Sequence, residues 1–556
     1  MIAFADLLER LTLTPGRLAK IALLRHFFET EPDPDRGIGL AALTAELAFD
    51  TAKPALIRAL AESRTDPVLF AWSYDYVGDL AETVALMWPS PPGSTPSPPL
   101  LAEVVSSLAR TPKAALPDLV AGWLDASPSS VRLAILKLIT GGLRVGASVR
   151  VAKIALAGLS DGRIAADDIE EVWHSLTPPY EALFAWIEGR GPRPDPQGAA
   201  VFRPPMLAHP LEAADLATLD LAAFATEWKW DGIRVQLVAT SGGRRLYSRG
   251  AEDISAAFPE IVEAMTFQAV LDGELLVQRG GDGVVAPFAD LQQRLNRKTP
   301  SAALMLQYPA FVRLYDILFD QDEDVRAEPF TARRRRLEAW YARTRPPRMD
   351  LSALVDAPDL TSLARLRDGA RAASIEGLML KRRDSLYLPG RPRGLWWKYK
   401  RDPLTIDAVL MYAQRGHGKR SSFYSDYTFG LWRVDAAGDD ELVPVGKAYS
   451  GFTDAELALL DRWIRNHTSA RFGPVREVSH TPAHGIVLEI AFDAAQRSNR
   501  HKSGVALRFP RVARLRMDKP PADADRLETL LRLLDSSTDL GETHPSTGRS
   551  ATEPKS

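Results

Sequence analysis

The chain has no cysteine among its 556 residues, which excludes disulfides, thiolate metal sites and cysteine nucleophiles and gives no sign of an oxidising compartment. It has no apolar run near the roughly 18 residues that a membrane span needs. It also lacks an excess of charge of either sign: 69 Lys and Arg against 71 Asp and Glu leave a formal net charge of −2. A globally basic surface is thereby excluded, so any affinity for nucleic acid must come from local patches. The start, Met1-Ile2-Ala3-Phe4-Ala5-Asp6-Leu7-Leu8-Glu9-Arg10-Leu11, carries early acids and helically spaced apolar residues instead of a basic segment before an apolar one. That is unlike a signal peptide. The expected address is the cytoplasm, with no membrane partner.

What is present is ordinary globular composition, 46% hydrophobic and 25% charged, at a length that suggests about three or four domains. Residues 1–190 repeat apolar residues at three- and four-residue spacing, over Leu18 to Phe28, Gly39 to Ser63, Leu100 to Leu108 and Ser130 to Ile139, and predict an all-α domain. The Pro/Ser-rich stretch Pro89 to Pro99 reads as an internal loop, and 191–199, rich in Pro and Gly, as an interdomain linker. From 200 to 402 short β-rich runs dominate: Arg234 to Ala239 and Arg245 to Ser248 around Ser241-Gly242-Gly243, then Ala269 to Val277, Ala310 to Leu318 and Ile375 to Lys381. Residues 403–522 offer strands at Ile406 to Tyr412, Tyr427 to Val434, Leu442 to Lys447 and Gly485 to Ala491. A helix at Asp454 to Asn466 lies among them, a pattern that fits a small OB-type barrel. Residues 523–556 predict a short helix and then, from Ser536, a polar and largely disordered tail. Arg333 to Arg336 is read as the solvated face of a helix.

Lys229, in Glu227-Trp228-Lys229-Trp230-Asp231-Gly232-Ile233-Arg234, is the candidate nucleophile. A lysine amine attacks phosphorus only when neutral, and at a reference pKa of about 10.4 fewer than roughly one in a thousand copies are neutral at pH 7. Such a lysine needs burial or neighbouring cations, and basic residues recur downstream. Alone, Lys-x-Asp-Gly is as readily a strand ending in a turn. It is followed, however, by Ser248-Arg249-Gly250, Asp272-Gly273-Glu274, Tyr315-Asp316, Glu376-Gly377-Leu378-Met379-Leu380-Lys381 and Trp397-Lys398-Tyr399-Lys400. This ordered series resembles the covalent nucleotidyltransferases, and specifically the ATP-dependent DNA ligases.

The resemblance implies a multidomain α+β protein: an all-α DNA-binding domain, a mixed α/β nucleotidyltransferase (ATP-grasp-like) domain and a C-terminal OB-fold β-barrel. It implies ATP and Mg²⁺ (or Mn²⁺) as cofactors and nicked double-stranded DNA as partner. Lys229 would attack the α-phosphorus, with Arg234, Lys398 and Lys400 meeting phosphate charge. Glu227 would meet the adenine, Arg249 and Glu274 the ribose side, and Tyr315 would stack on the base. Glu274 and Glu376 are the metal candidates. Arg393 matches a family arginine with a spacing one residue short, and Arg391 is its rival. Asp407 to Arg420, through His417, resembles the entry of the family's OB domain. Arg508 to Lys519 resembles its last motif, in which Arg516, Asp518 and Lys519 would serve the pyrophosphate end of ATP. Ile139 to Ala157 resembles a segment of the helical DNA-binding domain, so Arg144 and Gly146 are candidate DNA contacts. His417, in a Gly-His-Gly turn, reads as a loop residue. The helical spacing around Phe27-Phe28 reads as a buried helix face, so sliding-clamp binding is not expected. A monomer is expected. The implied setting is DNA repair, replication or recombination. A GTP-using capping guanylyltransferase and a non-catalytic nick-binding protein stay open as alternatives.

Overall fold

The computed structural model describes the chain except for residues 90–96, 142, 197, 280–283, 296, 298, 371–374, 416–423, 436, 450–452, 474, 500 and 540–556. His417 and the end of the Asp407 to Arg420 motif therefore lie outside the described residues, as does the tail from 540. The chain divides into two units: Met1–Pro204 with Thr240–Arg244, and Pro205–Ala239 with Arg245–Ser556.

The first unit is helical from Ile2–Leu13 to Glu181–Ile187. Apolar residues at three- and four-residue spacing put Phe4, Leu8, Leu11, Leu24, Phe28 and Leu40 into one core. Phe27 and Phe28 are buried in it, Phe28 edge-on to Phe184. The stretch Gly39 to Ser63 is two helices instead of one, Asp35–Leu43 and Pro54–Arg64. Pro54 has no N–H to continue a helix and restricts Lys53 to extended backbone, so it can only begin the second one. After Ser129–Thr140 ends at the left-handed Gly141, the chain turns through Arg144 and Gly146 into Val149–Ala157. Arg144 and Gly146 are both exposed, and the ammonium of the buried Lys20 donates to the carbonyl of Val145 between them.

The second unit begins with two β-sheets. One is five-stranded, in the order His209–Pro210, Trp396–Lys400, Ile375–Arg382, Phe224–Trp230, Leu354–Val355. The other runs Gly243–Ser248, Ile233–Thr240, Ala269–Arg279, Ala310–Asp320, Glu323–Asp324, with short strands attached to the third and fourth. Beyond them a seven-stranded sheet coils around its own core of Leu410, Phe429, Leu431, Leu488 and Ile490. Its central strand, Leu404–Arg415, pairs with Tyr424–Val434 and successively with Val487–Phe492 and Val475–Val478. This shared strand joins the arms of the OB-like barrel. The helix Asp454–Asn466, capped reciprocally by Thr453 and Glu456, buries Leu460 and Ile464 in that core. The C-terminal helix Leu527–Asp539 buries Leu527, Leu530 and Leu534 there, so helix continues past Ser536, where disorder was expected.

The arginine run corrects the solvated-helix reading. In the helix Phe330–Thr344, Arg333 points into the domain, where its guanidinium makes a two-pronged pair with Asp316 at 2.9 and 3.1 Å and both side chains are fully buried. Arg334 is buried as well, Arg336 pairs with Glu323 and Glu328, and Arg335 is the exposed member. Consecutive residues on a helix fall about 100° apart, so four in a row must sample the inner face. Removing one partner of a buried pair strands the other charge, so Arg333→Ala should cost about 3–5 kcal/mol in urea unfolding. Arg335→Ala should stay within about 0.5 kcal/mol. Equal unfolding midpoints for the two variants would contradict this placement.

Candidate active site

Strand register gathers the motifs. Alternate residues of a strand share a face, so Glu227 and Lys229 point the same way from Phe224–Trp230. Lys229 lies opposite Gly377 and Glu227 opposite Met379. On the next strand Gly377 lies opposite Lys400, Met379 opposite Lys398 and Lys381 opposite Trp396. Directly opposed residues project from the same side. One face therefore carries Lys229, Lys398, Lys400, Glu227 and Lys381.

Glu376 would point away from that face in a regular strand, but the register shifts between Ile375 and Gly377. The bulge turns Glu376 toward the lysines. Its Oε2 lies 2.7 Å from the Lys229 ammonium and 3.1 Å from that of Lys400. Burial pushes the Glu376 carboxyl up, but the two lysines outweigh it and hold the group at about 2. Gly377 makes the bulge possible, since its φ is +144° and a Cβ there would sit 2.3 Å from the Tyr399 carbonyl oxygen. Lys398 is pushed down by burial and then by Lys400, Arg391 and Lys229.

Asp231-Gly232 carries the chain from this sheet to the other, where Ile233–Thr240 begins. A Cβ on Gly232 would be 2.5 Å from the Leu275 carbonyl oxygen, so only glycine permits the crossing this close to Ala269–Arg279. On the second sheet Arg234 lies opposite Glu274, and Tyr315 sits where the Ala269–Arg279 and Ala310–Asp320 strands slip register between Asp272 and Gly273. Between the sheets is a cavity of about 550 Å³. Glu227, Lys229, Arg234, Arg249, Glu274, Tyr315, Glu376, Lys398 and Lys400 all line it. The motifs spread over the sequence thus meet in one cleft, of a size suited to a small ligand.

Other expected residues stand elsewhere. Of the two rival arginines, Arg391 lines the cavity and Arg393 does not. Arg516, Asp518 and Lys519 are also not among the lining residues: Arg516 and Lys519 bind Asp407 at 2.8 and 2.9 Å, and Arg516 binds Asp518. Arg508 and Phe509, earlier in the same segment, do reach the cavity. Arg508 grips both oxygens of Asp231 at 2.7 and 2.6 Å and lies 4.0 Å from the centre of the Phe288 ring. Burial pushes the Asp231 carboxyl up, and Arg508 works against it. Arg234, expected to meet phosphate, gives its guanidinium to Asp272, Tyr387 and the Met206 carbonyl. Its charge is committed beneath the cavity. Nothing local in the sequence assigns a role to Tyr387, Asp272, Arg508 or Lys381.

The acidic groups fit a hydrated divalent cation. Among the described residues no cluster of three or more His, Asp or Glu is present, and Mg²⁺ commonly takes one or two carboxylates and keeps its waters. Burial pushes the Glu274 carboxyl up to about 7, against the pull of Lys229 and Arg234, so its ionised form is short of positive charge. The buried Glu376 Oε2 touches lysines without a directed hydrogen bond.

Known proteins share the sequence of this region. Residues 205–400 match the family described as ATP dependent DNA ligase domain, and residues 420–519 the ATP dependent DNA ligase C terminal region. A DNA ligase of Natronomonas pharaonis is 33% identical over 73% of this chain and 72% of its own length. The chain belongs to the ATP-dependent DNA ligases. A probable DNA ligase of Opitutus terrae is 31% identical over 96% of this chain, which spans 62% of that relative, and one of Koribacter versatilis is 36% identical with 58% of each chain covered. The fold is shared with a solved structure named Pmar-Lig_PreS3, at a TM-score of 0.54 and 17% identity, covering 92% of this chain and 99% of that one. Among the described residues no helix is long and apolar enough to cross a membrane.

The bulge gives a direct test of this candidate site. Gly377→Ala should lower stability by more than about 1 kcal/mol and cut covalent nucleotide attachment at least about tenfold, because both φ and space are wrong for a side chain. Gly369→Ala, where a Cβ meets nothing within 4 Å, should leave both nearly unchanged. A Gly377→Ala protein with wild-type labelling would show that the bulge does not set the site.

Proposed function

We propose that this chain seals nicks in duplex DNA through a lysyl-AMP intermediate. The observation that carries the reading is the strand face on which Lys229 and Lys400 flank Glu376, with Lys398 on the same face, along a cavity of about 550 Å³. In the first step the Lys229 amine, having lost a proton, forms a bond to the α-phosphorus of ATP as the bond to pyrophosphate breaks. Lys398 and Lys400 lie where charge gathers on the phosphate oxygens. Glu227, whose buried Oε1 receives no directed hydrogen bond among the described residues, faces the adenine amino group. Tyr315 offers its ring to the base, and Arg249 and Glu274 meet the ribose side. Arg391 fits the family arginine better than Arg393. Glu274 and Glu376 would hold the Mg²⁺ or Mn²⁺, which when bound draws charge off the phosphates.

In the second step an oxygen of the DNA 5′-phosphate takes the AMP and frees Lys229. In the third the 3′-hydroxyl attacks that phosphate, AMP leaves and the phosphodiester is complete. Arg516, Asp518 and Lys519 serve the pyrophosphate during the first step. In the arrangement described here they are paired with Asp407 and one another while Arg508 and Phe509 face the cavity, which suits the later, DNA-handling steps. The loop carrying Arg144 and Gly146, held by Lys20, offers exposed backbone N–H groups and a cation to DNA phosphates.

Two mutational results should follow. Lys229→Ala should form no AMP adduct yet retain part of the sealing of a nick supplied already adenylated. An adduct at near wild-type level would remove Lys229 from its role. Arg516→Ala should slow adduct formation by about tenfold or more while affecting pre-adenylated sealing less, and Arg508→Ala should show the opposite bias. Equal losses in both steps for both variants would mean general damage to the barrel.

A further inference from the structure

Lys381 lines the cavity and is almost wholly buried, at 2% exposure. Its ammonium is 3.3 Å from each carboxylate oxygen of Glu227, itself 2% exposed. The rings of Tyr315, Phe330 and Trp396 wall it in, with centroids 4.5, 5.0 and 4.7 Å away. Glu227 lines the cavity, and among the described residues its Oε1 receives no directed hydrogen bond, only the Lys381 ammonium 3.3 Å away. Arg334, on the helix Phe330–Thr344, and Asp316, on the strand Ala310–Asp320, also act on Glu227. Asp316 is already neutralised by Arg333. Arg234 acts on Lys381 from the strand Ile233–Thr240. On the remaining neighbouring strand the residue opposite Glu227 is the apolar Leu354.

We propose that Lys381 is a positioning residue for base selection: its charge keeps Glu227 a hydrogen-bond acceptor, so the cavity takes a purine bearing an amino group at C6 and rejects one bearing a carbonyl. A carboxylate only accepts hydrogen bonds, whereas a protonated carboxyl also donates one. Facing a C6 carbonyl, the carboxylate sets acceptor against acceptor at a site buried from solvent. Such a mismatch at a site built for one hydrogen-bond pattern discriminates strongly. Burial holds Glu227 above the usual carboxylate range and pushes Lys381 down, and the Lys381 ammonium is the first of the charges that draw Glu227 back toward its ionised form. Without the ammonium, the acid takes up a proton and the preference for adenine relaxes.

This inference rests on the proposal that Lys229 accepts a nucleotide from ATP. The test compares covalent labelling of the full chain by α-labelled ATP and ITP, which differ at C6 and N1, between pH 6 and 8.5. Lys381→Met should raise the half-saturating ATP concentration more than it lowers the maximal rate. Its ATP:ITP preference should fall at least about tenfold at pH 6 and recover as pH rises and Glu227 ionises. Lys381→Arg should keep the wild-type preference. Glu227→Gln, which carries a donor and an acceptor at every pH, should show a relaxed preference without pH dependence, and serves if the methionine variant does not fold. A wild-type ATP:ITP ratio in Lys381→Met at every pH, whatever the total labelling, or an unchanged ratio in Glu227→Gln, would overturn the inference. A wild-type chain that takes no label from ATP would instead contradict the reading on which it rests.

Discussion

Three lysines on one face of the two strands that flank Ile375–Arg382 repel one another, and the carboxylate of Glu376 is what makes that arrangement tolerable. It lies within 3.1 Å of both Lys229 and Lys400. Like charges directly across a sheet are destabilising, and here burial removes part of the water that would screen them. Glu376 reaches the face only because the strand bulges at Gly377, and the bulge exists only because that residue has no side chain. The cleft, the orientation of Lys229 and the acidic end of the cation site all follow from this one local irregularity.

The same carboxylate explains why the site can rest with its nucleophile engaged. An amine in an ion pair has no lone pair to offer, so on the proposed reading the pair must loosen as ATP and its cation arrive. A divalent ion drawing Glu376 and Glu274 toward itself would do this. The nucleotide phosphates would then replace Glu376 as the counter-charge for Lys398 and Lys400. Arg508 follows a parallel logic on the barrel side, holding the Asp231 of the nucleophile's own motif.

Much of this was legible in the sequence because the motifs fall on regular strands. Glu227 and Lys229 alternate on one strand and Lys398 and Lys400 on another, so period-two spacing puts each pair on one face of its own strand, and strand pairing brings the two pairs together. The helix Asp454–Asn466 was legible from its capping residues and apolar spacing. What was not legible depends on long-range pairing. Nothing local marks Arg333 as the buried partner of Asp316, or Arg234 as the partner of Asp272, because composition alone makes an arginine run look solvated. Arg508 and Arg516 lie on one segment, and only the barrel's closure decides which of them faces the cavity. The short strands Thr468–Phe472 and Val475–Val478 lacked a long alternating run and are defined by pairing with each other and with Leu404–Arg415.

On the proposed reading, the cleft between the two sheets makes Lys229 a nucleophile toward the α-phosphate of ATP. The most direct measurement is mass mapping of the wild-type chain after incubation with ATP and Mg²⁺, before and after a chase with nicked duplex. The account predicts one AMP per chain, found on the peptide containing Lys229 and lost from it when the nick is added. AMP found stably on another residue, or an adduct on Lys229 that a nick does not discharge, would contradict it.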